Sequence, residues 1–169
     1  MQTRIIKAEK LSTREYAPYG QVLAASADGP SKPANFGRAR RFDSLVEMQN
    51  LRLDTATLNV CIFRCSAWTS SELEVKVLER HAFSTQVFMP MQAGRYITIV
   101  ARGEGEPDLA SLRAFIIDGP QGISYDPGVW HYPMTALDNT LDLSCLVYED
   151  GTAGDCDILT LSAAVIVHL

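Results

Sequence analysis

The chain has 169 residues, 47% apolar and 21% charged, the make-up of one soluble globular domain over residues 1–169, and no apolar run approaches the ~20 residues that cross a bilayer. Its net charge of −5 argues against nucleic acid or an anionic membrane as main partner, because both are bound by a basic face. Met1-Gln2-Thr3-Arg4 leads straight into polar sequence without the apolar stretch of a signal peptide, so a cytoplasmic location is expected, with Cys61, Cys65, Cys145 and Cys156 as reduced thiols.

Taken in order, Ser12-Thr13-Arg14-Glu15 has the spacing of a capping box and predicts a short helix. Gln21–Ala25 starts a strand, and Ser26–Pro33, with Asp28-Gly29-Pro30, reads as a turn-rich loop. Asn35–Phe42 carries Arg38, Arg40 and Arg41, either as a solvated basic segment or with one arginine turned inward to hold a carboxylate. Thr57–Cys65 predicts a largely buried strand ending near Arg64. Further strands are expected at Gln86–Pro90, Tyr96–Ala101, Arg113–Ile117, Leu141–Tyr148, Asp157–Leu161 and Ala163–Val167, with one helical turn at Pro107–Leu112. Strand after strand with short turns, and no βα alternation, is the pattern of an antiparallel sandwich or barrel.

Polar, ligand-capable side chains concentrate at Leu78-Glu79-Arg80-His81-Ala82-Phe83-Ser84-Thr85-Gln86, between two apolar runs. In an extended chain Glu79 and His81 share one face and Arg80 takes the other. Gln86 is five residues from His81 and joins them only if the chain bends at Phe83–Thr85. About fifty residues on, His131 follows the Pro127-Gly128 turn. Two histidines from separate strand regions can converge in a barrel mouth, where small-ligand pockets of such folds lie. Trp130 reads as a packing residue, and His168, in an apolar tail, receives no catalytic role.

Glu79-x-His81-x4-Gln86 with Gly94, followed by Gly122 and Pro127-Gly128-x2-His131, resembles the two motifs of the cupin superfamily. In that superfamily two histidines two apart, an acidic residue and a distant histidine hold a metal inside a jelly-roll barrel. Here Glu79 stands at the first histidine, Gln86 at the acidic residue, and the second motif is one residue short before its proline. A closer resemblance is to the ureidoglycolate lyase family. It is carried by Leu78-Glu79-Arg80-His81, Thr85-Gln86-x-Phe88-x-Pro90-Met91, Pro107-Asp108-Leu109-x2-Leu112-Arg113-Ala114-Phe115, Gln121-Gly122 and Val129-Trp130-His131-x-Pro133. Upstream, Asn35-x-Gly37 and Arg41 also match.

That resemblance implies a mainly β, cupin-like jelly-roll barrel with a few short helices, assembled as a homodimer. It implies cleavage of (S)-ureidoglycolate to glyoxylate and urea in allantoin degradation, with an optional divalent metal, nickel in this family. Such an elimination needs a base for the hydroxyl proton, an acid for the departing urea nitrogen and a clamp for the carboxylate. His131 or Glu79 is the candidate base and His81 the candidate acid or ligand. Arg64, Arg41 and Arg113, in that order, are candidates for the carboxylate, with Asn35 and Tyr132 as further substrate contacts. A metal would be held by Glu79, His81, Gln86 and His131, a set suited to a hard or borderline divalent ion. The rival readings are a cupin-like module that binds a small carboxylate without turning it over, and a metal-dependent cupin oxygenase or isomerase. The missing first histidine and acidic ligand count against the second rival.

Overall fold

A computed structural model of the chain describes residues 4–26 and 29–169. Alternating apolar and polar residues bury one face of a strand and wet the other, and this alternation dominates the chain. Among the described residues there are 16 strands, one α-helix at Thr13–Tyr16 and two 3-10 turns. The helix begins as the capping box requires, with Ser12 Oγ accepting from the Glu15 backbone N–H at 3.5 Å.

The strands form a nine-stranded sheet, a five-stranded sheet and a separate two-stranded hairpin. Across the large sheet the order is Arg4–Lys7, Asp157–His168, Glu72–Arg80, Trp130–His131, Arg95–Arg102, Asp108–Asp118 and Glu9–Lys10, with Thr135–Leu137 also paired to Arg95–Arg102 and Ala67–Trp68 to Thr135–Leu137. Across the smaller sheet it is Val22–Leu23, Gly122–Tyr125, Gln86–Pro90, Leu141–Glu149 and Thr57–Cys65. Between them lie Tyr96, Val100, Phe115 and Ile117 from the first and Phe88, Ile123, Leu143, Cys145 and Val147 from the second. The result is the mainly β, nearly closed barrel that the alternation predicts. A second apolar cluster, including Leu73, Val75, Leu78, Ile97, Ile99 and Trp130, covers the other face of the large sheet. The Arg95–Arg102 strand is therefore buried on both faces, Tyr96 and Val100 to one side and Ile97 and Ile99 to the other.

Three local expectations change. Thr57–Cys65 is a strand, but it is the outermost one of its sheet, paired only with Leu141–Glu149, and Leu58, Val60 and Ile62 are exposed. Its apolar composition suggested a largely buried strand, whereas no element among the described residues covers the face that carries Leu58, Val60 and Ile62. Pro107–Leu112 forms no helical turn: Asp108–Asp118 is one strand paired with Arg95–Arg102, and Pro107 stands just ahead of it, where its missing N–H costs no ladder bond. Asp157–His168 is a single strand whose register shifts between Thr160 and Val165, in place of the two strands expected. Arg38, Arg40 and Arg41 are exposed on the hairpin Lys32–Ala34 and Ala39–Arg41, the solvated basic segment of the first alternative. Asp28 of the turn-rich loop lies outside the described residues. All four cysteines are free thiols, and no helix among the described residues is long and apolar enough to cross a membrane.

Candidate active site

The Glu72–Arg80 strand sends Leu78 into the second apolar cluster, so Glu79 projects from the opposite face. Arg80 returns to the Leu78 side, donating to Asp157 Oδ2 at 2.8 Å with its guanidinium 4.6 Å over the Trp130 ring. Beyond Arg80 the chain leaves the large sheet and turns, and Gln86 opens a strand of the small sheet. That bend carries Gln86 to the same cavity despite its unfavourable parity. On the neighbouring strand His131 stands directly opposite Glu79. Gly128, at φ +82°, supplies a left-handed turn that glycine adopts without strain, and its N–H donates to the His81 carbonyl at 2.9 Å. The two polar stretches thus meet through backbone as well as side chains.

His131 is 1% exposed, stacked on Tyr125 at 4.1 Å and on His81 at 5.8 Å between ring centroids. Its Nδ1 lies 2.9 Å from the Val129 carbonyl, and a carbonyl only accepts, so Nδ1 carries the proton and Nε2 a lone pair. His81 is held in the same way, Nδ1 donating to the Asp155 carbonyl at 2.8 Å. Asp155 is itself tied down by Arg52, which also binds Asp150 at 2.8 Å. Burial, and then the neighbouring His81, lower the His131 pKa to about 3, so the ring is neutral. Burial lowers His81 as well and raises the Glu79 carboxyl above its ordinary range. His131 Nε2 and Glu79 Oε1 are 3.6 Å apart. With the imidazole neutral this is two acceptors facing each other rather than an ion pair. His131 Nε2 is buried without a hydrogen-bond partner, and so is Gln86 Oε1. The wall is one proton or one cation short.

The adjoining cavity, of about 290 Å³, is lined by Glu79, His81, Gln86, Cys61, Phe63 and Glu149, among others. That is at or below the range of roughly 300–1,000 Å³ typical of drug-sized ligands, which suits a small metabolite. A larger open groove of about 490 Å³ beside Trp68, Arg95 and Asp138 carries no histidine. The structure unites Glu79, His81, Gln86 and His131, but separates them from the other candidates. Arg64 lies on the outer face of its strand, opposite the side that carries Cys61 and Phe63, where it pairs with Asp142 at 2.9 Å. Arg113 binds Glu9 and Glu15, and Arg41 binds Asp43 in the hairpin. Asn35 is exposed at the hairpin tip, and Tyr132 packs against the second apolar cluster. None of these five lines the cavity of its own chain.

Several contributors escaped the sequence reading. Glu149 was legible, because Leu143, Cys145 and Val147 point inward and parity places residue 149 with them. Tyr125, whose hydroxyl lies 2.8 Å from Thr98 Oγ1, carries no local signal: only the tertiary fold stacks it on His131. The Asp155 carbonyl is backbone, which side-chain motifs do not reveal. For a metal, the donor chemistry fits. Two neutral imidazoles have Nδ1 fixed by carbonyls, an arrangement that aims metal-binding histidines, and two orphaned acceptor atoms lie beside a carboxylate. Among the described residues no three His, Cys, Asp or Glu side chains are grouped as a ready ligand set. Glu79, His81 and His131 would therefore have to draw together, with the Gln86 oxygen beside them, to hold an ion.

A family model described as ureidoglycolate lyase matches residues 3–168. The chain belongs to the ureidoglycolate lyase family. A ureidoglycolate lyase of Burkholderia cepacia is 34% identical over 164 residues, covering 96% of this chain and 89% of its own. One of Salmonella paratyphi B is 32% identical over 148 residues, covering 88% and 89%. Among solved structures, a dTDP sugar isomerase from Desulfovibrio desulfuricans G20 aligns over 85% of each chain with a TM-score of 0.43 and 17% identity. The matched span includes Glu79, His81 and Gln86 of the cavity lining and the buried His131 that faces Glu79.

Proposed function

We propose that this protein is a ureidoglycolate lyase that splits (S)-ureidoglycolate into glyoxylate and urea, acting in the cytoplasm as a homodimer of single-domain subunits. The observation that carries this reading is the Glu79–His131 pair, two facing acceptors at a cavity wall with a place for one proton between them. The reaction starts by removing a proton from the carbinolamine hydroxyl. Glu79 takes it, and His131 Nε2 accepts the hydrogen bond from the protonated carboxyl. As the carbonyl forms, the C–N bond breaks and the proton passes to the departing urea nitrogen, so none is gained or lost overall. The raised pKa of Glu79 suits this exchange, since a carboxyl that holds its proton more strongly is a better base. Gln86 Oε1 and His81 Nε2 are acceptors, matched to the N–H groups of the ureido end.

When a divalent metal is bound, Glu79, His81, Gln86 and His131 are the residues to hold it, and it would lower the pKa of the substrate hydroxyl. Dimerisation is supported by the free edge of Thr57–Cys65, since an exposed apolar edge strand is a pairing hazard unless it is covered. The decisive assay incubates purified protein with fresh ureidoglycolate and measures glyoxylate against the spontaneous rate. Glyoxylate above that background is the expected result; no excess, with and without added divalent metal, overturns the reading.

A further inference from the structure

The cavity has an acidic, neutral-imidazole lining and contains no lysine or arginine among its described lining residues. A ureidoglycolate carboxylate entering it would meet Glu79 and Glu149 without a counter-charge. The sheet edge at its rim, Thr57–Cys65, supplies Cys61 and Phe63 to the cavity while leaving Val60 65% and Ile62 60% exposed. Elsewhere in the chain, the hairpin Lys32–Ala34 and Ala39–Arg41 has the opposite character. It carries Lys32, Arg38, Arg40 and Arg41 against Asp43, in a chain whose net charge is −5. Among the described residues its strands pair only with each other, and its polar side-chain contacts, Lys32 and Arg41 to Asp43 and Arg40 to Ser31, all stay within the segment. An isolated two-stranded hairpin is at best marginally stable in water. Phe36 at its tip is fully exposed and, like Asn35, has left-handed backbone, at φ 56° and φ 50°. A bulky residue in that conformation is unusual unless its surroundings hold it. The Arg38 side chain has no hydrogen-bond or ion-pair partner among the described residues.

We infer that this hairpin is an arm that docks on the Thr57–Cys65 rim of a second copy of the chain, with Arg38 supplying the carboxylate clamp to the partner copy's cavity. The inference rests on the lyase reading above. It joins three features that are each incomplete alone: a basic arm without a support, an apolar edge without a cover and an acidic cavity without a cation. In a two-fold dimer each cavity would be built by one chain and finished by the other.

The test uses the full-length protein. Sedimentation equilibrium should give a dimer for the wild type and a monomer for Phe36→Asp, with the circular dichroism unchanged because Phe36 packs on nothing in its own chain. Arg38→Ala should raise KM by about tenfold or more, the size expected for losing a hydrogen-bonded charge, with kcat largely kept and partial recovery in Arg38→Lys. A heterodimer with His131→Ala on one copy and Arg38→Ala on the other, isolated through two different tags, keeps one complete site if the arm acts in trans. At limiting substrate it should then run at about half the wild-type rate, as one of two symmetry-related sites requires. A heterodimer no faster than the Arg38→Ala homodimer, beside an active wild type, overturns the arm in trans and leaves the lyase reading intact. If the wild type has no lyase activity, that reading fails by itself and sedimentation decides the arm: a monomeric wild type or a dimeric Phe36→Asp overturns it.

Discussion

At the Glu79–His131 wall both histidines are fixed through Nδ1 by backbone carbonyls, and the ring of His131 is sandwiched between Tyr125 and His81. At the Lys32–Arg41 hairpin nothing among the described residues outside the neighbouring sequence holds the charged side chains. The first region spends burial to hold neutral, proton-hungry groups in place, and the second keeps its charge in water, where it costs little. The lesson is a division of labour: the pair proposed to exchange a proton is set rigidly in a doubly paired sheet, while the groups able to attract an anion are on a hairpin outside both large sheets.

The hardest test of that division is the proton-exchanging pair. Glu79→Gln keeps the shape of the side chain but removes the base, so kcat should fall by about 10²–10⁴-fold, as for loss of general acid–base help. His131→Ala should cost a similar factor, and steady-state glyoxylate formation with circular dichroism as a fold control reads both. A rate within threefold of wild type in Glu79→Gln would falsify its role as base.

Next in size is Tyr125→Phe, which strips the partner from Thr98 Oγ1 in the core. Leaving that buried hydroxyl unsatisfied should lower stability by about 1–3 kcal/mol, measured by urea unfolding, with a much smaller loss of rate than in Glu79→Gln. An equal loss of rate would make Tyr125 part of the chemistry rather than the support of His131.

The pH dependence should be smaller and has a definite sign. The folded-state pKa of His131, about 3, lies below its ordinary 6.5, so the unfolded chain takes up the proton first. The stability it confers is complete above 6.5 and drains away as pH falls towards 3. Glu79 works in the opposite sense, because its raised pKa adds stability as the carboxyl protonates on the way down. Melting curves from neutral to acid pH should therefore decline less steeply in His131→Ala than in the wild type. The acid limb of kcat should sit above the ordinary carboxyl value of 4.5 and disappear in Glu79→Gln. The smallest effect is expected at Arg64→Ala: its partner Asp142 lies with it on the outer face, and exposed pairs of this kind contribute little. Neither the melting temperature nor KM should move measurably, whereas a raised KM would return Arg64 to the site.

Much of this contrast was legible in the sequence. Period-two alternation fixes the faces of Glu79 and Arg80 and hence the side of the sheet on which chemistry sits, and the Pro127-Gly128 turn marks the approach of His131. The order of strands was not legible. Glu79 and His131 are register partners because a two-residue strand is inserted between two long ones, an arrangement that no local pattern encodes. The same gap misplaced Thr57–Cys65, since apolar composition reports what a strand is able to bury and not how many neighbours it receives. It also misplaced the arginines, whose inward or outward aim depends on partners such as Asp142 and Glu9 that come from distant strands.

The Thr57–Cys65 strand has a consequence at the level of the cell-free assay. One of its faces forms part of the cavity wall, while the other is the uncovered apolar surface at Leu58, Val60 and Ile62. Anything that covers or uncovers the outer face shifts the same backbone that shapes the inner one. With the proposed dimer covering that outer face, specific activity should fall as the protein is diluted and recover on concentration, because mass action on assembly and the integrity of the pocket would share one strand.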